Sequence, residues 1–134
     1  MSAVRQLQAY REIQLTTTDS TTVLLMLYQG AIDALNAAQT QMAAGNFGAK
    51  GKYILRANDI INQFIASLDH EVGGEIAANL EALYLYMLEQ ILVANVDNDA
   101  GRLTTVIAML KTLQSGWEEA IASQRKQAAA GGAK

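Results

Sequence analysis

Cysteine and proline are absent from the 134-residue chain, and His70 is its only histidine. Without cysteine there is neither a disulfide framework nor a thiolate metal site, which fits a reducing compartment such as the cytoplasm. A single histidine cannot form a two-histidine metal site, and its place between Asp69 and Glu71 at a predicted helix end is typical of a solvated residue. We therefore expect a cytosolic protein with no cofactor, no metal and no enzymatic activity.

Clustered basic charge is also missing, since 10 Lys and Arg face 13 Asp and Glu for a net charge of −3. The one small basic group, Lys50, Lys52 and Arg56, is interpreted as a solvated helix start. Because phosphate binding needs a basic surface, we expect no nucleic-acid partner. No apolar run approaches the roughly 18 residues of a membrane span, and no apolar segment follows Arg5 and Arg11, so neither membrane insertion nor a signal peptide is expected.

Two segments match ion-binding or phosphate-binding loops only in part. Asp97 and Asp99 begin like a calcium loop, but Arg102 stands where that loop has glycine and Ala108 where it has glutamate. The glycines within residues 45–52 are spaced one position too widely for a phosphate loop. Helix ends explain both segments better.

The chain is rich in helix-forming residues, so long uninterrupted helices are predicted where proline would otherwise break them. Gly45-Asn46, Gly73-Gly74 and the Asp97-Asn98-Asp99 run are the expected breaks. They divide the chain into helices of about 20–44, 49–71, 75–96 and 99–126. Short connections predict an all-α fold, an antiparallel up-down four-helix bundle, as one domain over residues 1–126. Residues 127–134 have nothing to bury and are predicted to be a disordered tail.

The segment before the first helix has its own pattern. Val4, Leu7, Tyr10 and Ile13 recur every three residues, so residues 4–14 are predicted to form a short helical segment packed on the bundle. Two interpretations remain open. The segment is either a fixed cap over one end of the core or a displaceable flap over an apolar groove.

The predicted helices differ in the width of their apolar faces. Helices 2 and 4 have arcs of roughly 120–140°, enough for a bundle core, whereas helices 1 and 3 reach about 200°. The surplus indicates either that these two helices are more deeply enclosed or that they carry a groove for a partner helix. On the second interpretation, the candidate partner-binding residues are Tyr10, Leu25, Tyr28, Ile32, Tyr84, Leu85, Leu88 and Leu92.

Several motifs occur in a characteristic order. Ala9-Tyr10-Arg11-Glu12 precedes a Leu-Tyr-X-Gly-Ala-Ile run at 27–32, a Ser-Leu-Asp-X-Glu-X-Gly-Gly-Glu-Ile-Ala-X-Asn-Leu run at 67–80, and Trp117. With these motifs the chain resembles FliS, the bacterial flagellin-specific export chaperone family, over about residues 5–120. The resemblance implies an antiparallel four-helix bundle that binds the C-terminal segment of flagellin in the cytoplasm. It also implies that binding prevents premature polymerisation and supports type III export, with the export gate as a second partner.

The chain departs from the family pattern at three places. Ser20-Thr21 stands where relatives usually have Ser-Pro, which removes the preset first turn that proline gives. Gln29 and Leu85 stand where an aspartate is common, and Leu85 makes its face of helix 3 unusually apolar.

Two other function classes remain as alternatives. One is a self-assembling structural bundle, and the free protein is expected to be a monomer or a weak homodimer. The other is a histidine phosphotransfer domain that uses His70. Its pattern has a lysine and a glycine three and four residues after the histidine, where this chain has Gly73 and Gly74, and the flanking Asp69 and Glu71 would repel a phosphoryl anion.

Overall fold

The computed structural model describes residues 18–132, which form four helices and, within that range, no strand. They are α1 (Thr18–Ala43), α2 (Lys50–Ala66), α3 (His70–Asp97) and α4 (Ala100–Gly132). Helices α1 and α3 each pack against both α2 and α4, so the four helices form a closed ring in chain order. Short connections make neighbours antiparallel. The predicted all-α four-helix bundle is confirmed; the predicted segment 4–14 lies outside the described residues.

The boundary between α2 and α3 differs from the prediction. Helix α2 ends at Ala66 rather than near 71, and Asp69 starts α3 because its Oδ1 accepts a hydrogen bond from the Val72 N–H at 3.0 Å. The predicted end of the second helix near 71 is too late, but Gly74 does interrupt the helix where the break at Gly73-Gly74 was predicted, since it is non-helical and forms a kink within α3. The Asp69 side chain caps a helix N-terminus four residues before Gly73, so α3 begins ahead of the glycines.

The kink folds the first turn of α3 toward the rest of that helix. His70 Nε2 lies 3.5 Å from Glu81 Oε2, although the two residues are about three turns apart in sequence. Gly74 adopts φ 50° and ψ −121°, a backbone conformation that residues with a Cβ rarely take.

Helix α4 has one expected and one unexpected end. Asn98 closes α3 in the left-handed conformation at φ 51°, as predicted for the break at 97–99, and α4 follows immediately. Helix α4 then continues through Gly132, so the predicted end near 126 is too early. Residues 125–130 are exposed, and disorder of the tail 127–134 stays a prediction.

An aromatic cluster in the core takes one side chain from each helix: Tyr28, Phe64, Tyr84 and Trp117. The Tyr28 ring stacks on Phe64 with centroids 4.4 Å apart, and Phe64 lies 5.4 Å from Tyr84. The Tyr28 and Tyr84 hydroxyls are 2.6 Å apart, and Trp117 Nε1 donates to the Tyr28 hydroxyl at 3.1 Å. The polar atoms of these buried rings therefore satisfy one another.

Removing the Tyr28 hydroxyl should destabilise the bundle. Tyr28→Phe deprives the Trp117 N–H of its acceptor and breaks the contact with the Tyr84 hydroxyl, so we expect a loss of about 1–3 kcal/mol in the free energy of unfolding. Urea denaturation of the wild type and the variant measures this loss in the free energy of unfolding. The matched control, Tyr86→Phe, removes a hydroxyl from a side chain that is exposed and should change stability by less than about 0.5 kcal/mol.

The pH dependence adds a second readout of the same hydroxyl. Burial raises the pKa of Tyr28 from 10.0 to about 12. The stabilising effect of the buried, protonated Tyr28 hydroxyl is therefore complete below pH 10. Between pH 10 and 12 only the unfolded chain ionises at this position, so the free energy of unfolding falls by about 1.4 kcal/mol per pH unit. The stability advantage of the wild type over Tyr28→Phe should shrink across that window. A constant advantage would contradict the assignment of this hydroxyl to the core.

The kink gives a separate test. Gly74→Ala forces a Cβ onto a strained backbone and should cost about 1–3 kcal/mol of stability. Gly48→Ala is the control, because a Cβ at either position would meet no atom within 4 Å and only Gly74 has a positive φ. Equal melting of the two variants would show that the kink at Gly74 does not persist in solution.

Candidate partner-binding surface

Helix α3 carries more apolar surface than the core uses. Its inward edge consists of Ala77, Leu80, Tyr84, Met87, Ile91 and Ala94. A second edge is exposed, with Leu85 at 52%, Leu92 at 61% and Val96 at 70% of their full accessibility. By length and composition α3 could cross a membrane, yet only 28% of that stretch is buried in the bundle. Such a match is weak evidence for a membrane span, so the second edge needs another explanation.

The second edge of α3 faces α2. On the opposite side of α3, Gln90 Oε1 accepts a hydrogen bond from Arg102 of α4 at 3.0 Å. At about 100° per residue, Leu85 and Leu92 lie on the side of α3 away from Gln90. Since α3 packs between α4 and α2, the exposed leucines border α2.

The register of α2 against α3 identifies what lies across from them. Lys50 Nζ donates to the Asn95 carbonyl at 2.6 Å, and the Phe64 and Tyr84 rings meet nearer the other end of α2. Between these two contacts the antiparallel register places Leu55 level with Leu92. Leu55 is 61% exposed, and it lies on the α3 side of α2, because Ile60 on the other side contacts the Gly30 position of α1.

These residues define the α2/α3 groove, formed by Leu55 of α2 and by Leu85, Leu88, Leu92 and Val96 of α3. Leu88 is half-buried and packs against the core, so it forms the floor. From Leu85 to Val96 the groove is about 16 Å long, the length of three helical turns. It is therefore long enough to receive one short amphipathic helix.

Lys50 closes one end of the groove. Its side chain is buried, and its ammonium donates to the Asn95 carbonyl at 2.6 Å and to Asn98 Oδ1. The interpretation of Lys50 as a solvated residue was wrong, because the unpaired carbonyls at the C-terminus of α3 attract a cation. Lys52 and Arg56 are exposed, as expected.

Replacing Lys50 should loosen this end. Lys50→Met keeps the aliphatic stem but leaves the Asn95 carbonyl without its charged donor, so we expect a loss of about 1–3 kcal/mol in unfolding free energy. Lys52→Met is the control, since the Lys52 ammonium is exposed and lies 5.0 Å from the Tyr53 ring. Thermal unfolding of the two variants compares their stabilities with that of the wild type. If both variants melt alike, the buried capping contact does not contribute.

The candidate partner-binding residues from the sequence differ in how exposed they are in the structure. Leu85 and Leu92 are exposed, and Leu25 and Leu88 are half-buried against the core. The interpretation of Tyr28, Ile32 and Tyr84 as members of an exposed edge was wrong, because they point into the bundle and are almost inaccessible. Tyr10 lies outside the described residues. Partner binding by any of the eight stays a prediction.

Leu55 and Val96 were not among the candidates. Leu55 falls outside the core arc of its helix, and Val96 is the last apolar residue before the predicted break at 97–99. The signal for Leu55 is a large apolar residue outside a narrow core arc, which the width of the arcs on helices 1 and 3 does not reveal.

The charged side chains at mid-length of the groove are carboxylates. Helix α3 contains five carboxylates and neither lysine nor arginine. Glu89 on α3 and Asp59 on α2 are exposed on opposite rims near mid-length, and neither forms an ion pair with another described residue. Within residues 18–132, no three histidine or carboxylate side chains come close enough together to hold a metal ion.

A four-helix bundle with an open apolar groove is an architecture suited to binding another polypeptide. Comparison with known proteins narrows this class. The model of the family described as Flagellar protein FliS matches residues 3–124, and the chain belongs to that family.

Curated relatives agree with this assignment. The flagellar secretion chaperone FliS of Vibrio cholerae is 37% identical over 84% of this chain and 86% of its own length. FliSB of Pseudomonas aeruginosa is 35% identical over 88% and 94%, and FliS of Escherichia coli is 33% identical over 92% and 94%. The resemblance seen in the sequence is confirmed, and the family is one of secretion chaperones.

Proposed function

We propose that the protein is a cytoplasmic export chaperone that binds the C-terminal segment of flagellin. Binding would keep subunits from polymerising early and would present them to the type III export gate. The family supports this role, since its curated members are named flagellar secretion chaperones. The single observation that carries the proposal to this chain is the second apolar edge of α3, which the bundle leaves unused.

The magnitudes indicate how such a client would bind. Covering the exposed part of Leu55, Leu85, Leu92 and Val96 contributes about 1 kcal/mol for each side chain. Ordering a flexible client segment costs about 2–5 kcal/mol. The α2/α3 groove alone would therefore hold a client weakly, so the client must also contact other apolar residues, of which Val23 and Met26 on α1 are exposed candidates.

The two alternatives have less support. In a symmetric dimer through the α2/α3 groove, the acidic α3 edges would approach each other without a cation of their own, so self-association there should be weak. This agrees with a free protein that is a monomer or a weak homodimer. For phosphotransfer, Glu81 lies 3.5 Å from His70 Nε2 and would repel an incoming phosphoryl group.

The proposed function is tested with monomeric flagellin from the same genome. The wild-type protein should bind full-length flagellin and should lose binding, by at least about tenfold, when the C-terminal segment of flagellin is deleted. Isothermal titration calorimetry measures the affinity for full-length flagellin and for the truncated form. Equal affinity for the two forms would reject the C-terminal segment as the client site, and no binding to either would reject the function.

Variants of this chain test the surface in the same titration. Leu92→Asp should weaken binding by about tenfold or more, while unfolding stays within about 0.5 kcal/mol of wild type. Leu83→Asp is the matched control, since Leu83 is also exposed on α3 but lies on the edge toward α4. Phe64→Ala, in the core, should instead lose about 3–5 kcal/mol of stability. Undiminished affinity in Leu92→Asp would move the client site elsewhere.

A further inference from the structure

The middle of the α2/α3 groove is negative from both sides. The register that pairs Lys50 with Asn95, and Phe64 with Tyr84, places Asp59 of α2 close to the level of Glu89 of α3. Both residues lie toward the outer surface of their helices when these are wound at about 100° per residue. They therefore stand on opposite rims of one groove, above its floor at Leu88.

No cation of this chain is available to neutralise that position. Helix α3 has none. On α2, Lys50 is used at the helix end, and the Arg56 guanidinium lies near Gly30 of α1, on the far side. The Lys52 ammonium lies over the Tyr53 ring at 5.0 Å, also away from α3. The rims of the groove are thus acidic and uncompensated within the described residues.

The floor adds an unpaired acceptor at the same level. Asn58 precedes Asp59 and lies on the α3 side of α2, and its Oδ1 is buried without a hydrogen-bond donor among the described residues. A buried acceptor without a donor is unfavourable, because it has lost its hydrogen bonds to water. The middle of the groove therefore has two exposed carboxylates on its rims and one buried, unpaired amide oxygen at the same level.

We propose that the α2/α3 groove selects an amphipathic helix that carries a lysine or arginine in the middle of its apolar face. This rests on the proposed function, because it specifies which helix of the client binds here. Apolar residues two turns apart in the client would cover Leu85 and Leu92. Between them, the aliphatic stem of the cation lies along Leu88 while its charged head reaches Asp59 and Glu89.

The same chemistry disfavours a second copy of the chain that presents its own α3. That helix has no lysine or arginine to place between the two carboxylates. An apolar helix with an acidic centre would meet two carboxylates of its own sign, which costs affinity at low ionic strength. The groove therefore distinguishes partners by the sign of one central charge.

Two model peptides test the inference without flagellin. Both are amphipathic peptides of about four turns with leucines two turns apart, cross-linked on their polar face so that they are helical before binding and carry no ordering cost. They differ only in a central Lys or Glu between these leucines. Fluorescence anisotropy with wild-type protein at low salt should show about tenfold tighter binding of the Lys peptide, and the difference should fall at high salt. Equal binding of the two peptides, or binding of neither, would overturn the inference.

Charge-reversal variants locate the effect. The double variant Asp59→Lys/Glu89→Lys should invert the preference, so that the Glu peptide binds more tightly. The matched control is Glu118→Lys/Glu119→Lys, which makes the same change in net charge on the exposed surface of α4 and should keep the wild-type preference. A preference that changes equally in both double variants would reflect total charge rather than the groove, and would contradict the proposal.

The outcomes separate the two proposals. If flagellin binds through its C-terminal segment but the model peptides show no preference for lysine, the proposed function stands and the charge selection fails. If the peptides show the preference and its inversion while flagellin does not bind, the groove chemistry stands and the client is a different polypeptide with such a helix.

Discussion

The hydroxyl of Tyr28 is the contact on which the rest of the bundle depends. It is buried in the core, accepts the Trp117 N–H and meets the Tyr84 hydroxyl at 2.6 Å, so it joins three of the four helices. Phe64 of the remaining helix stacks on the same ring. Hydrogen bonds in a dry core are directional, and a shift of any helix by one residue would leave a buried donor unpaired. The aromatic cluster therefore selects one register among several that apolar packing alone would allow.

That register in turn determines which apolar side chains remain outside. With Tyr84 committed to the core, the inward edge of α3 runs through Leu80, Met87 and Ile91, and Leu85 and Leu92 must lie on the edge beside α2. The groove is thus a consequence of the core rather than a separate structure. Its exposed leucines lower solubility, and the carboxylates of α3 offset this by keeping that edge charged.

The sequence was sufficient for the architecture and insufficient for its polar contacts. Helix number, order and the break at 97–99 followed from propensity and capping, which are local properties. The wide arc of α3 left two interpretations open, and the exposure of Leu85 and Leu92 in the structure favours the one in which an apolar edge stays outside the core. Tyr28 and Tyr84 were misplaced because a tyrosine hydroxyl is expected to stay hydrated unless it finds a partner, and the partners here lie on other helices. Lys50 was misjudged for the same reason, since its acceptors, the Asn95 carbonyl and Asn98 Oδ1, become visible only when α2 and α3 are packed together.

The kink of α3 shows where two local rules compete. Glycines at 73 and 74 favour a helix end, and Asp69 favours a helix start four residues earlier. The structure satisfies the two tendencies together: one helical turn follows Asp69, and α3 then bends at Gly74. After Gly74, α3 continues without another non-helical residue past both contacts that establish its register, with the Phe64 ring and with Lys50. Any partner laid in the α2/α3 groove therefore meets a surface fixed at both ends by interactions that it does not touch. Binding energy and folding energy are then separable, because the side chains exposed in the groove contribute little to the core, and the cluster that holds the core together is closed to solvent.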